Sequence, residues 1–545
     1  MAPSDVPLLP AETDDDDPDE PSSRGPHSLL QVFLEHARRT PDRLALIFGA
    51  ERYTYGELAR RVTAFAQALL RRRKGLGESV ALFLENSPQF VIAYLGVQYA
   101  HGIVVLVNTA YRQVELDHIL TDSETRICVT GAAGAAELAP LLPGLPALEW
   151  LITVEPPDTA LPSSLRVDSF GALLAEPIEP ERIMSVPGDI NIAVLGYTSG
   201  TTGRSKGAML RQSHLLSNIR AVTEAWRWTD EDRLLLALPL FHTHGLMVGL
   251  HGTLYTGASV DLRRRFVASE VLEALRDDPA ITMFFGVPTM YGRLLEESRR
   301  TGVRPRPLRL MVSGSAPLSP QLFQEIEAEL GHRILERYGM TETIMNTTNP
   351  YEGERRPGTV GMPFPGQEAR VVDVRTRKPV RDGEAGELEV RGPHVFSGYW
   401  RREEATREAF EPDGWWFRTG DLGFRDTDGY FHITGRAREL IISGGFNIYP
   451  REVEEVLASC PGVAEVAVLG LPDPDFGEQV VAVVVPAAGQ PAPEAQALVD
   501  WCKDRLASFK KPRRVELVDA LPRNALGKVQ KHVLRERLSP PPKRA

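Results

Sequence analysis

The sequence predicts an α/β fold in two unequal parts: a large N-terminal α/β-layered domain, then a small mobile α+β C-terminal domain. Three observations carry that expectation. The 545 residues exceed what one hydrophobic core ordinarily organises. Short apolar runs of strand character alternate with amphipathic helical runs, the pattern of layered sheets with largely parallel pairing. From about Arg436 onward the texture changes to one helix, two long strands and further helix, as in a small independent unit.

The elements follow in order. Residues 28–40 (SLLQVFLEHARRT) place apolar side chains at helical spacing. Thr54 followed by Glu57 forms a capping box ahead of a second helical run reaching about Arg72. SVALFLEN (79–86) reads as a buried strand, and Ser87-Pro88 opens a helix as N-cap and first-turn proline. VVLVN (104–108) is strand-like, VELDHILTD helical and TRICVTG again a strand. Near the other end, YPREVEEVLASC (449–460) is an amphipathic helix behind a proline, EVAVLGLP and EQVVAVVVP are strands, and APEAQALVDWCKDRLAS is a helix. The junction falls near Gly435-Arg436-Ala437-Arg438, where domain rotation opens or closes a site. The expected division is a disordered acidic tail at 1–26, a large domain over 27–435, a joint at 436–438, a small lid over 439–538 and a tail at 539–545.

Composition narrows the classes. An apolar fraction of 42% and a charged fraction of 25% are those of a soluble globular protein. No apolar run reaches the roughly 18 residues of a membrane span, and the net charge of −11 gives no basic footprint for nucleic acid. Residues 1–26 hold eight acids against Arg24, the wrong charge for a transit peptide and without the apolar stretch of a secretion signal. Cys128, Cys460 and Cys502 are too few and too scattered for a disulfide framework or metal cluster, so a reducing cytoplasm is expected.

Four segments carry chemistry. In VLGYTSGTTGRSKGA (194–208) an apolar strand leads into Thr198, Ser199, Gly200, Thr201, Thr202 and Gly203, with Lys206 just after. Small residues let backbone N–H groups and hydroxyls close around phosphates, and the lysine adds charge. The Walker A spacing is absent, and a plain Ser/Thr/Gly connector is the alternative. YGMTE places Tyr338, Thr341 and Glu342 within five residues: a ring to stack on a base, a hydroxyl for a phosphate oxygen, a carboxylate for Mg²⁺. FRTGDLG puts Asp421 in a turn, suited to accept from both ribose hydroxyls, and PRNALGK presents Lys528 after a glycine turn. Singly, each has a bland reading as a core tyrosine, a turn aspartate or a solvated lysine. Their joint occurrence in this order does not.

These motifs, with GRAREL and ISGGFNIYPREVE, identify a resemblance to the adenylate-forming superfamily of acyl-CoA synthetases, nonribosomal peptide adenylation domains and firefly-type luciferases, over about residues 28–538. The resemblance implies ATP, Mg²⁺ and, as acyl acceptor, coenzyme A. It implies that Thr198 to Gly203 and Lys206 hold the β- and γ-phosphates, and that Gly314, Ser315, Ala316 and Pro317 line the adenine. Glu336, Arg337, Tyr338, Gly339 and Met340 belong to the same nucleotide site, with Tyr338 against the adenine face. Thr341 touches the α-phosphate, Glu342 takes the metal, and Asp421, helped by Arg436, takes the ribose. Lys528 bridges carboxylate and α-phosphate, offsetting the charge of two anions pressed together. After pyrophosphate leaves, the lid turns about Arg438, where the family more often has Lys or Asp, and Gly444-Gly445 lines the pantetheine tunnel.

For the acid, LPLFHTHGL supplies His242 and His244, FFGVPTMYGRLL supplies Arg293, and Met345 follows in TETIM. Together with VNTAYRQVELDHILTDSE and ERYGMTETIMNTTNPYEGERRPGTVG, these most resemble malonyl-CoA synthetases. A second carboxylate needs a buried cation, and arginine's planar fork suits it. Arg293 is the candidate clamp, with His244 assisting, against the reading of a surface residue on an amphipathic helix. His242 is expected to gate the acyl carbonyl rather than transfer a proton. Arg263, Arg264 and Arg265 read as solvated.

The leading expectation is a malonate (or methylmalonate)–CoA ligase, monomeric or homodimeric, with the acid and CoA as its small-molecule partners and neither nucleic acid nor membrane insertion. A fatty or aryl acyl-CoA synthetase is the rival within the class. A peptide-synthetase module is disfavoured because no carrier segment follows Arg544. A non-catalytic adenylate-binding protein is disfavoured by intact Lys206, Glu342, Asp421 and Lys528, and nothing favours a luciferase-like oxygenase.

Overall fold

The structure, a computed structural model, describes residues 26–72, 77–179, 185–198, 205–443, 446–489, 491–503, 505–523 and 528–539, and of Arg438, Phe446 and Asn447 the backbone alone. All but the last residue of the acidic segment 1–26 lies outside these.

Two large sheets form the first part. One has seven strands in the order Arg166–Ser169, Trp150–Thr153, Ile127–Thr130, Ser79–Phe83, Ile103–Leu106, Ile192–Thr198, Lys206–Arg211, all parallel except the last pair. The other has nine, with the parallel run Leu44–Phe48, Ser259–Leu262, Arg233–Leu236, Met283–Gly286, Leu310–Ser313, Leu335–Tyr338 at its centre. Antiparallel strands close both its edges. Strands buried on both faces read as unbroken apolar runs, which is why SVALF and ICVT were legible.

Helices Leu29–Arg39, Tyr55–Arg72, Pro88–Tyr99 and Gln212–Ala225 lie between the two sheets in one continuous core with Val80, Leu82, Leu234, Leu236 and Val260. Pro88–Tyr99 is buried on nearly every side and accordingly apolar all round. Further helices cover the outer faces in separate clusters around Leu116, Ile119 and Leu138 and around Leu272, Leu294 and Phe323. The expected caps are present: Thr54 N–H donates to Glu57 Oε2 at 2.9 Å, and Phe90 N–H to Ser87 Oγ at 3.2 Å.

A four-stranded antiparallel sheet, Glu368–Val372, Gly386–Arg391, Phe417–Arg425, Phe431–Arg436, follows and had no sequence-based expectation. Its inner charges explain why. Arg377 pairs with Glu387, Glu389 and Glu411, all three buried, so ionic residues at inward positions obscure the alternation.

The chain then leaves that sheet. After Arg436 comes a single 3₁₀ turn, Ala437–Glu439, and the next strand, Ile441–Ser443, belongs to a different sheet with Phe446–Ile448, Gly477–Pro486, Val463–Asp473 and Arg514–Leu517. Helix Pro450–Ala458 packs on it through Val453 and Leu457. The helix expected over APEAQALVDWCKDRLAS is shorter, Ala495–Trp501. Trp501 Nε1 donates to Val456 O at 3.1 Å, and Leu498 and Cys502 are fully buried, so tertiary contacts end the helix there. No helix among the described residues is long and apolar enough to cross a membrane.

Candidate active site

The candidate residues gather outside the carboxyl ends of the parallel strands, where open α/β sheets present ligand crevices. Strand Ile192–Thr198 runs antiparallel to Lys206–Arg211 with Thr198 opposite Lys206, so these two residues flank the loop expected to hold phosphates. Ser199, Gly200, Thr201, Thr202 and Gly203 of that loop lie outside the described residues.

One end of the loop reaches Glu342 directly, and the other lies by Tyr399, which also reaches it. Thr198 Oγ1 donates to Glu342 Oε1 at 3.3 Å, and Tyr399 OH donates to the same oxygen at 2.9 Å. Lys206 Nζ stands 5.1 Å from the centre of the Tyr399 ring. Tyr399 was not anticipated; its setting is a third segment paired against KGAMLR, with Trp400 N–H donating to Gly207 O at 2.7 Å and Met209 N–H to Gly398 O at 2.9 Å. Nothing in FSGYW alone signals that pairing. Burial raises the Glu342 carboxyl above its usual pKa, opposed by the Tyr399 and Thr198 hydroxyls and by the charge of Arg436. An under-compensated buried carboxylate with neutral donors on one oxygen fits a Mg²⁺ ion whose other ligands are phosphates and water. No group of three or more His, Cys, Asp or Glu residues suited to a metal occurs among the described residues.

The nucleoside side is built on neighbouring strand ends. Tyr338 OH donates to Asp421 Oδ2, and Arg436 Nε lies 2.7 Å from Asp421 Oδ1. Asp421 and Arg436 are register partners on adjacent strands, which fixes the pair. Burial, then the Asp421 charge, pushes the Tyr338 phenol well above its usual pKa. The segment Gly314-Ser315-Ala316-Pro317 leaves strand Leu310–Ser313 with Ser315 in the left-handed region, φ 68°. Thr341 packs against Gly196, where a Cβ would stand 2.5 Å from its methyl. Gly339 is equally confined, a Cβ there falling 2.0 Å from Ile344 O. Met340 accepts from Thr343 N–H at 3.2 Å, closing that turn.

On the acyl side, His242 precedes a π-helical stretch, His244–Leu250, that runs into the α-helix His251–Thr256. Such i→i+5 turns are rare and concentrate at functional sites. His244 Nδ1 is 3.4 Å from Ser315 Oγ, while its buried Nε2 has no partner. Burial, then the charge of Arg337, lowers the His242 pKa to about 4 and holds that of His244 well below its usual value, so both imidazoles are neutral at pH 7. Met345 is buried, and its carbonyl accepts from Asn218 Nδ2 at 2.8 Å.

Arg337 stands out by its burial. The sequence reading placed it with the nucleotide. In the fold its guanidinium packs on Gly314, where a Cβ would stand 2.5 Å from its central carbon. The side chain is 3% exposed, and its Nε and Nη2 have no hydrogen-bond partner. Burial lowers its pKa to about 9, with Glu336 opposing. Glu336, also buried, accepts from Leu318 N–H at 3.0 Å through one oxygen while the other is unpartnered, and burial raises it to about 7. Glu336 and Arg337 are neighbours in strand Leu335–Tyr338, and both are among the residues expected at the nucleotide. Arg293, the expected clamp, is exposed on helix Pro288–Thr301.

Lys528 is exposed on the small domain, just before an isolated Arg523–Val529 strand pair. Arg438 is the middle residue of the turn Ala437–Glu439, and Gly444 and Gly445 lie outside the described residues. Arg264, exposed, pairs with Glu85 at 3.4 Å, whereas Arg263, expected to be solvated, is partly buried, pairs at 2.8 Å with the buried Asp261 and has a buried Nε without a hydrogen-bond partner.

The comparisons agree with this architecture. Residues 33–400 match the model of the AMP-binding enzyme family, and residues 452–528 that of the AMP-binding enzyme C-terminal domain. The chain is 33% identical to the malonate–CoA ligase of Arabidopsis thaliana, covering 94% of this chain and 89% of that protein. It is 36% identical to the sulfoacetate–CoA ligase of Cupriavidus necator, covering 92% and 96%. The crystal structure of ATP-bound MatB from Rhodopseudomonas palustris superposes with a TM-score of 0.84 at 39% identity, covering 93% of this chain and 98% of that one. The relatives differ in the acid they are named for. The chain belongs to the AMP-binding enzyme family, on its adenylate-forming acid–CoA ligase branch.

Proposed function

We propose that this ligase activates malonate, or methylmalonate, and transfers the acyl group to coenzyme A at the expense of ATP. The observation that carries the proposal is Arg337: a buried guanidinium with two unpartnered N–H nitrogens, packed on Gly314 and near enough for its charge to act on His242 and His244. Such a group is disfavoured unless an anion completes it. A distal carboxylate does so, while an alkyl chain leaves the donors unmet. Arg293 is proposed as a second, outer contact, weaker because it is exposed to water.

In this reading the reacting carboxylate attacks the α-phosphorus, the acyl-adenylate forms and pyrophosphate leaves. The thiol of CoA then attacks the acyl carbonyl, and AMP leaves. Lys206 and the loop after Thr198 hold the outer phosphates, Thr341 the α-phosphate, and Asp421 with Arg436 the ribose. Tyr338 and the Gly314–Pro317 segment flank the adenine. Mg²⁺ bound at Glu342 supplies positive charge against the phosphates. Neutral His242 and Met345 wall the acyl carbonyl. Lys528 delivers its ammonium to the two anions when the small domain is closed, and rotation at Arg438 replaces it with Gly444-Gly445 for the thiol step.

The test is an acid panel of malonate, methylmalonate, acetate, hexanoate and benzoate with ATP, Mg²⁺ and CoA, scored by AMP release. Malonate turnover far above hexanoate supports the proposal; the reverse assigns the chain to fatty or aryl acids, the reading that the exposure of Arg293 favours.

A further inference from the structure

We propose that Lys531 is a positioning residue whose ammonium, clasped by Glu439 and Glu454, ties the segment bearing Lys528 to the exit of the hinge. The inference rests on the roles given above to Lys528 and Arg438, and adds what makes the lysine travel with the turning domain.

Lys531 opens the last helix, Lys531–Leu538, directly after the Lys528 segment. Its Nζ lies 2.7 Å from Glu454 Oε1 and 3.3 Å from Glu439 Oε2, with all three side chains a quarter exposed or less. Glu439 ends the turn Ala437–Glu439, next in sequence to Arg438. Glu454 sits on helix Pro450–Ala458, and its Oε1 also accepts from Val468 N–H of strand Val463–Asp473 at 2.7 Å. One ammonium therefore gathers the hinge exit, the first helix, the longest strand and the base of the last helix.

The Lys528 segment is anchored on its other side as well. Arg523 pairs with Val529, and Gln530 N–H donates to Pro522 O at 2.8 Å. Leu534 is buried with Leu471 and Val481. These contacts fix the described residues on either side of Lys528 against the small domain, and the Lys531 clasp reaches the hinge. Burial disfavours a lysine cation, yet the Lys531 pKa is raised, because the charges and hydrogen bonds of Glu454 and Glu439 outweigh desolvation. Without the cation, two carboxylates confront each other at the hinge exit. A reacting group displaced by about 1 Å loses about a hundredfold in rate, so a loosened clasp is expected to be read at Lys528.

The experiment separates the half-reactions in the full-length enzyme, using the best acid of the panel. Labelled pyrophosphate exchange into ATP reports adenylation, and CoA consumption from supplied acyl-AMP reports thioester formation. Lys531→Met is expected to lower exchange by about ten- to a hundredfold while thioester formation changes by less than about twofold, and Lys531→Arg to recover most of the exchange. The thioester step also uses the small domain, so its retention shows that the domain is folded. The double variant Glu439→Gln/Lys531→Met removes the carboxylate pair and guards against simple misfolding. Equal loss of both half-reactions in the double variant and in Lys531→Arg makes Lys531 merely structural and overturns the inference. Unchanged exchange in Lys531→Met, alongside lost exchange in Lys528→Ala, also overturns it while sparing the role of Lys528. Retained exchange in Lys528→Ala refutes the underlying reading itself.

Discussion

Replacing Arg337 with methionine sets stability against activity. Burial lowers the guanidinium pKa from its ordinary value to about 9, equivalent to at most about 5 kcal/mol of disfavoured charge. Two of its N–H groups have no partner, each such orphan typically costing about 1–3 kcal/mol. Methionine is of similar length, flexible and apolar, and fills the space without a charge. The unliganded variant is therefore expected to melt no lower than the parent. Malonate is expected to lose a desolvated charge pair, about 2–5 kcal/mol, or roughly 30- to 5,000-fold in kcat/KM. Acetate, which lacks the distal carboxylate, is expected to be turned over as well as before. The assay is AMP release with each acid, with thermal melts of the apo-enzymes alongside. Equal loss for malonate and acetate, or a melt several degrees below the parent, refutes the reasoning.

Three further outcomes are expected. Lys528→Ala abolishes labelled pyrophosphate exchange yet spares CoA consumption from supplied acyl-AMP, and equal loss of both speaks against a rotating lid. Tyr399→Phe removes a donor that favours the ionised form of Glu342, so the carboxyl pKa rises and the Mg²⁺ requirement increases, most at acid pH; a Mg²⁺ titration at pH 6 and pH 8 that matches the parent contradicts this. Glu336 is raised to about 7 from 4.5 in the unfolded chain, so its contribution to stability is complete below about pH 4.5 and is lost as pH rises through 7. Glu336→Gln keeps an acceptor for Leu318 N–H and is expected to flatten the fall in melting temperature between pH 5 and pH 8.

What the sequence made legible follows physical scale. Strands such as SVALF and ICVT are buried on both faces, so their apolar runs stand out, and Thr54, Glu57 and Ser87 signal helix starts through bonds within three residues. The nucleotide motifs were legible because small residues, hydroxyls and charges cluster along the chain. The sheet from Glu368 to Arg436 was not, because Arg377 and its three glutamates hide its alternation. Arg337 sits between Glu336 and Tyr338 on one strand, where successive side chains point to opposite faces, and its guanidinium packs on Gly314, in the segment expected to line the adenine. Tyr399 reaches Glu342 and Lys206 only through a strand pairing between distant segments, which no local pattern encodes.

The most direct test is malonate-dependent exchange of labelled pyrophosphate into ATP by the purified chain in Mg²⁺, without CoA. The account predicts exchange that needs malonate, outpaces hexanoate and vanishes in Lys528→Ala. Exchange with no acid of the panel, or exchange indifferent to Lys528, contradicts it.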